Sequence, residues 1–295
     1  MHPIFLQTGV VGTGAMGRGI AQMAAQAGSE VWLFDVQEGA AEAARQALAN
    51  TWQTLVGKNR MQPGEMDACL ARLHLATQLA DLSPCDLVVE AVVERLDVKQ
   101  RLFAELEAIV KPESVLATNT SSLSVTAIGA ALKRPGQFAG YHFFNPVPLM
   151  KVVEVIAGLK TNEAVCQRLT AYARQFGHTP VAAQDTPGFI VNHAGRGYGT
   201  EALRVVGERV ADFATIDRIL KDQMGFRLGP FELMDLTALD VSHPVMESIY
   251  HQYFEEPRYR PSVITAQRLA GGVVGKKVGE GFYASDKGVA QVQPE

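Results

Sequence analysis

Cysteine is scarce in this chain: Cys69, Cys85 and Cys166 are the only three in 295 residues, an odd and widely spaced set. Such a set excludes a disulfide framework and a metal cluster, so reduced, mostly buried thiols are expected and no metal. Long apolar runs are lacking too, and the opening MHPIFLQTG has neither the basic nor the apolar region of a secretory signal. A cytoplasmic location without a membrane partner is the resulting expectation. Nor is there a basic excess: 27 Lys and Arg against 31 Asp and Glu leave a formal net charge of -4. Nucleic acid is therefore not expected as a partner, and any anion must be held by local groups. What the chain does have is 47% hydrophobic residues, enough for a sizeable core and two domains.

In the first half, short runs rich in Val and Ile alternate with longer amphipathic segments, as βαβ units of a parallel sheet require. FLQTGVV, EVWLFD, DLVVEAV and SVLATNT read as strands. Helices are predicted over 15–27, 38–56, 96–110 and 162–176, with Gly28, Pro112 and Gly177 as stop signals. After TPVAAQDTPGF the pattern turns helical, with helices expected over 189–210, 214–224, 231–253 and 262–269. The expected fold class is α/β: a Rossmann-like, doubly wound, mostly parallel sheet over 1–185, followed by an all-α domain over 186–295. The closing SDKGVAQVQPE is polar and expected to fray.

VVGTGAMGRGIAQ places Gly12, Gly14 and Gly17 in a G-x-G-x-x-G pattern, with Ala15 and Met16 inside it, after an apolar strand and at the start of a helix. The glycines suit a tight turn, close approach of a pyrophosphate and tight helix–strand packing, while the helix N-terminus offers free N–H groups to phosphate. Asp35 ends the next strand, where a carboxylate accepts from a ribose diol. No arginine stands beside it to receive a 2′-phosphate, which favours NAD over NADP.

Two charged or ionisable residues interrupt apolar strands: His142 in AGYHFFNP and Glu154 in KVVEVIAG. Burying an unpaired charge is costly, and a hydrogen bond from His142 to Glu154 relieves both burials. Such a pair makes His142 a general acid/base for an alcohol that loses hydride to a nicotinamide. Each residue also has a bland alternative, a hydrogen-bonded core histidine and a glutamate on a solvated face; the dinucleotide loop tips the balance toward catalysis. TNTSSLSV gathers Asn119, Thr120, Ser121 and Ser122 at the carboxyl end of a strand, where ligands bind or a helix is capped. Asn192, in TPGFIVNHAG, is an amide on an apolar helix.

The chain resembles the L-3-hydroxyacyl-CoA dehydrogenases through GTGAMGRGIAQ, DLVVEAVVERLDVK, NTSSL, HFFNPVPLMKVVEVI, DTPGFIVN, GPFELMD and GKKVGEGFY, in that order and over nearly its whole length. The resemblance implies reversible NAD-linked oxidation of an (S)-3-hydroxyacyl-CoA, with His142 as base and Glu154 orienting it. Ser121 and Asn192 become substrate-side hydrogen-bond partners. The cofactor contacts become the glycine loop, Asp35, Glu94, Lys99, Asn119, Ser121, Asn145 and Lys277, and Thr51 and Lys58 match positions that contact coenzyme A. A homodimer is implied, its interface and the closure of the cleft supplied by the helical domain. The alternatives are a dehydrogenase of a free hydroxy or sugar acid, of the L-gulonate or carnitine type, and a non-catalytic dinucleotide-binding protein. The chain departs from the family pattern at His193, where arginine is usual, and at Gly195, Gly197 and Gly199, which weaken a helix by roughly 1 kcal/mol each. Similar bacterial proteins carry a further dehydrogenase-like unit, so the chain is also consistent with part of a longer one.

Overall fold

The computed structural model describes residues 2–286 and 289–292, with backbone alone from 285 onward. Two compact units divide the chain, Met1–Phe189 and Ile190–Glu295. The strands of the first are β1 (Gln7–Val11), β2 (Glu30–Phe34), β3 (Leu73–Leu75), β4 (Leu87–Glu90), β5 (Val115–Thr118), β6 (Phe138–Phe143), β7 (Val152–Ala157) and β8 (Thr179–Gln184). Its helices are α1 (Ala15–Gln26), α2 (Ala40–Gly57), α3 (Pro63–Ala71), α4 (Leu96–Ile109), α5 (Val125–Gly129) and α6 (Glu163–Gln175).

The strands form one sheet in the order β3-β2-β1-β4-β5-β6-β7-β8. Every pair is parallel except β6 and β7, which run antiparallel. From β1 the chain winds outward to β3, then returns to lay β4 on the other side of β1. That reversal opens a crevice at the carboxyl ends of β1 and β4, the usual ligand position in such sheets.

Successive residues of a strand face opposite sides, and the core divides accordingly. Leu87, Val89, Val115, Ala117, Ala139 and Tyr141 pack on one side with helices α1, α2 and α6. Val88, Leu116, Phe138 and Ile156 pack on the other with Phe103 of α4 and Val125 and Ile128 of α5. Because both faces are covered, the strands read as continuous apolar runs.

The segment PGEMDACLARLHL, which the apolar periodicity left unassigned, forms α3 and β3. Its helix opens with Pro63 at the first position and a capping box in which Glu65 accepts from the Gln62 backbone.

The second unit contains α7 (Val191–Gly207), α8 (Phe213–Met224), α9 (Pro230–Thr237), α10 (Leu239–Gln252) and α11 (Val263–Ala270), with a hairpin of β9 (Tyr283–Asp286) and β10 (Val289–Val292). The single helix predicted over 231–253 is two helices. Ala238 takes φ 65 between them, and the Leu239 N–H turns away to donate to Val274 O at 2.8 Å. The hairpin adds two strands to the expected all-α domain; within the closing segment expected to fray, residues 287–288 and 293–295 lie outside the described residues.

Two buried aspartates organise this unit. Asp217 accepts from the N–H groups of Phe231 and Glu232, both at 3.0 Å, and from the Tyr283 hydroxyl at 2.7 Å. Asp235 accepts from the N–H groups of Phe282 and Tyr283 at 2.8 and 2.9 Å. Cβ atoms at Gly229 and Gly281 would collide with these carboxylates, which explains the glycines of GPFELMD and GKKVGEGFY. Among the described residues no helix is long and apolar enough to cross a membrane, and no cluster of three or more His, Cys, Asp or Glu is placed to hold a metal.

Candidate active site

The glycine loop joins β1 to α1 at the reversal point. Gly12 has φ 90, and a Cβ there would stand 2.6 Å from Ala91 O. A Cβ at Gly17 would collide with the Gly12 carbonyl, whereas one at Gly14 would meet nothing within 4 Å. The loop thus packs tightly at both ends and is open in the middle, the space a pyrophosphate needs. Helix α1, which starts with Ala15 and Met16, receives no side-chain cap from Gly14, so its first N–H groups stay available to an anion.

Asp35 follows β2 and faces the same loop. Its Oδ2 accepts from the Thr13 N–H at 2.7 Å and the Thr13 hydroxyl at 2.9 Å, and its Oδ1 accepts from the Gln37 N–H at 3.0 Å. Burial pushes this carboxyl up, but the bonds from Thr13 and Gln37 outweigh it and hold the pKa below the ordinary aspartate value. The aspartate is therefore ionised and braces the loop, with lone-pair capacity left for a diol. Thr13 is a site residue that the glycine pattern did not mark.

A buried charge network lies next along the sheet. Lys99 and Glu90 are 1% and 0% exposed, and their Nζ and Oε1 are 2.5 Å apart. Glu90 also accepts from the Val92 N–H and the Thr118 hydroxyl, each at 2.7 Å. Lys99 reaches Glu94 Oε2 at 3.2 Å, and Glu94 Oε1 accepts from the Thr120 hydroxyl at 2.5 Å and the Ser121 N–H at 2.9 Å. Burial raises the Glu94 carboxyl, yet the Lys99 ammonium and the bonds from Thr120 and Ser121 overcome this and lower its pKa. Glu94 and Lys99 thus shape the loop that carries Ser121. Glu90 escaped the sequence reading, although the rule applied to Glu154, a carboxylate in an apolar strand, applies to DLVVEAV as well.

On β6 the cross-strand register pairs His142 with Glu154 of β7. Directly opposed residues of an antiparallel pair share a face with Cβ atoms about 5 Å apart, so the register itself brings the side chains together. His142 Nδ1 and Glu154 Oε2 are 2.7 Å apart, and the side chains are 6% and 0% exposed. Among the described residues no hydrogen bond engages His142 Nε2. Phe144 and Phe189 pack on the imidazole with ring centroids at 4.5 and 5.8 Å. Two supports hold this strand end. Asn119 Oδ1 accepts from the Phe143 N–H at 2.9 Å, and Gly140 leaves room for Ile156 and Val125, which a Cβ would approach to 2.9 Å.

Asp185 is a further residue the motifs did not single out. Its carboxylate accepts from the Ser124 hydroxyl at 2.9 Å and from the N–H groups of Val125 and Thr126 at 2.8 and 2.7 Å. It thereby ties the segment carrying Phe189 to the start of α5 and the serine loop before it.

Of the residues expected at the site, the glycine loop, Asp35, Glu94, Lys99, Asn119, Ser121, His142, Asn145 and Glu154 belong to the first unit, at or after the carboxyl ends of its strands, apart from Glu154 on antiparallel β7 and Lys99 on α4. Asn145 is exposed and precedes a cis proline, Pro146. Thr51 and Lys58 are exposed on α2 and at its C-cap; the Thr51 hydroxyl donates to Ala47 O at 2.9 Å. Asn192 and Lys277 belong to the second unit: Asn192 lies in the first turn of α7, half-buried, and Lys277 pairs with Asp240. His193 is held between two tyrosines, with Nδ1 2.9 Å from the Tyr253 hydroxyl and Nε2 3.0 Å from that of Tyr259.

Comparison with known proteins agrees with this geometry. Residues 7–186 match the family model for the 3-hydroxyacyl-CoA dehydrogenase NAD binding domain, and residues 188–285 match that for the C-terminal domain of the same family. The chain is 42% identical over 274 residues to the 3-hydroxyadipyl-CoA dehydrogenase of Escherichia coli K12, covering 93% of this chain and 58% of that protein. It is 41% identical over 278 residues to a probable 3-hydroxybutyryl-CoA dehydrogenase of Deinococcus radiodurans, covering 94% and 99%. A crystal structure of 3-hydroxybutyryl-CoA dehydrogenase from Escherichia coli K12 superposes with a TM-score of 0.94 at 40% identity, covering 99% of this chain and 62% of that one. The chain thus spans about three fifths of the length of both Escherichia coli proteins. With both family models matched, a glycine loop fitted for the pyrophosphate of NAD and an ionised aspartate behind it, the chain belongs to the 3-hydroxyacyl-CoA dehydrogenase family.

Proposed function

We propose that the chain catalyses the reversible NAD-dependent oxidation of an (S)-3-hydroxyacyl-CoA to the 3-oxoacyl-CoA. The observation that carries this reading is the buried His142–Glu154 pair, in which no hydrogen bond among the described residues engages the second ring nitrogen of His142. With Glu154 ionised, His142 Nδ1–H donates to the carboxylate and Nε2 keeps its lone pair. Nε2 takes the proton of the substrate hydroxyl during oxidation and returns it to the carbonyl oxygen in reduction. Glu154 then stabilises the imidazolium, as the buried aspartate of a serine-protease triad does. Bound NAD supplies the hydride acceptor of the oxidation and the hydride donor of the reverse.

Ser121 and Asn192 are proposed to hydrogen-bond the reacting oxygen. Gly12, Gly14, Ala15, Met16 and Gly17 take the pyrophosphate; Asp35 takes the adenosine ribose; Glu94, Lys99, Asn119, Ser121, Asn145 and Lys277 serve the rest of the cofactor. Thr51 and Lys58 are assigned to coenzyme A, Lys58 as a point charge for its phosphates. The free thiols of Cys69, Cys85 and Cys166 suit a reducing cytoplasm. A homodimer formed through the second unit is supported by its exposed Ile219, Met224, Leu236 and Val241.

The test is NADH consumption with acetoacetyl-CoA, run beside free acetoacetate. Turnover of the thioester, lost in His142→Ala with NADH binding retained, is the expected result. Undiminished turnover in His142→Ala removes the proposed base. NADH binding without turnover of any acyl-CoA makes the chain a dinucleotide-binding protein instead.

A further inference from the structure

Helix α7 carries Gly195, Gly197 and Gly199 in its first half, and of these Gly195 and Gly199 line a cavity of about 70 Å3 that also touches α9 and α10. Met234 and Met246 supply apolar wall, and Arg196 and Ser242 adjoin each other within it. A side chain at Gly195 would meet nothing within 4 Å, and one at Gly199 would press on Met234 at 3.0 Å. Glycine here keeps the space open at the expense of helix propensity.

Arg196 is the unusual member. Burial pushes its guanidinium below the ordinary arginine value, with no opposing charge to restore it. Among the described residues its Nε is sealed from solvent without a hydrogen-bond partner, as is the Ser242 hydroxyl, and its NH1 donates to Ser242 O at a long 3.4 Å. No carboxylate among the described residues pairs with it. A desolvated guanidinium needs an anion, and its planar fork matches a carboxylate with two parallel bonds.

We propose that this cavity binds a carboxylate at the end of a short aliphatic chain, with Arg196 as counter-charge, Ser242 as an additional donor and the methionines against the methylenes. About 15 Å3 suffices for one water-sized group, so a carboxylate with a few methylenes fits. The same chemistry comes from a free aliphatic acid or from an acyl-CoA whose chain ends in a carboxylate; the second source rests on the proposed dehydrogenase activity.

Calorimetry on the full chain with adipate, hexanoate and hexanol tests the cavity, since the two acids should bind and the alcohol should not. Arg196→Met should weaken the acids by about 10- to 100-fold, the loss of a charge-assisted hydrogen-bonded pair, without lowering the unfolding temperature, because an unpaired buried charge is being removed. Arg196→Lys, which keeps charge but not the fork, should fall between. Turnover of 3-oxoadipyl-CoA against 3-oxohexanoyl-CoA separates the sources: a kcat/KM loss in Arg196→Met confined to the former assigns the carboxylate to the substrate, and an unchanged ratio with adipate still bound by the wild type assigns it to a free acid. Absence of carboxylate binding to the wild type overturns the proposal. So does an Arg196→Met variant that binds acids normally but unfolds earlier or dissociates in sedimentation, since the arginine then pairs within the protein or with a second copy. Adipate binding without turnover of acetoacetyl-CoA would leave the cavity standing and remove only the dehydrogenase reading.

Discussion

Replacing Glu154 by glutamine changes one charge and almost no volume at a site with no solvent exposure. In the proposed oxidation His142 would become an imidazolium, with Nδ1 2.7 Å from the Glu154 carboxylate. At an effective dielectric constant of about 20, opposite unit charges at that distance attract by about 6 kcal/mol. Glutamine restores a neutral hydrogen bond of about 1 kcal/mol, so the transition state should lose about 5 kcal/mol. That corresponds to a fall in kcat on the order of a thousandfold or more. A glutamine whose amide donates to Nδ1 would move the ring proton to Nε2 and abolish the base, which acts in the same direction. The assay is the steady-state oxidation of saturating (S)-3-hydroxybutyryl-CoA by NAD, with NADH affinity measured by fluorescence. Affinity should be unchanged, because the glycine loop and Asp35 stand on other strands. A kcat within about fivefold of wild type would refute the idea that the carboxylate stabilises a charged ring.

Gly17→Ala should abolish NADH binding or folding, since its Cβ collides with the Gly12 carbonyl; calorimetry and circular dichroism distinguish the two outcomes. Asp185→Ala removes the acceptor of three hydrogen bonds and should lower stability by about 1–3 kcal/mol in urea unfolding, with Asp185→Asn recovering part of it. Gly281→Ala places a methyl group against the Asp235 carboxylate and should cost about 1–3 kcal/mol by the same measurement. Glu94 has a folded pKa below the ordinary 4.5, so its contribution is complete above that pH and disappears as pH falls through the lower folded value. Glu94→Gln should therefore flatten the acid limb of the unfolding temperature plotted against pH, and an unaltered limb would contradict the assigned shift.

Strands β1, β2, β4 and β5 and helices α1, α2, α4 and α6 were legible because their apolar spacing is a local property of the chain. Gly12, Gly14, Gly17 and Asp35 were legible for the same reason: the turn, the helix start and the next strand end are set within about twenty-five residues. Asp35 nevertheless braces the loop through Thr13, a contact that no spacing announced. Helix α3 had a readable signal in Pro63 and Glu65, overshadowed by its weak apolar periodicity. The break at Ala238 had none, because neither glycine nor proline marks it and the Leu239 N–H finds its partner at Val274, far along the chain.

By itself, then, the sequence determined the alternation of strands and helices, the dinucleotide loop and the presence of two ionisable residues in apolar strands. Tertiary structure decided which of these groups meet. The antiparallel register of β6 and β7 set His142 opposite Glu154; a one-residue slip would have turned every side chain of the strand to the other face. Likewise, Glu94 meets Thr120 and Ser121, and Asp185 caps a helix sixty residues earlier, because sheet order brings distant segments together. Periodicity is encoded locally and can be read residue by residue, whereas partnership depends on how the sheet assembles.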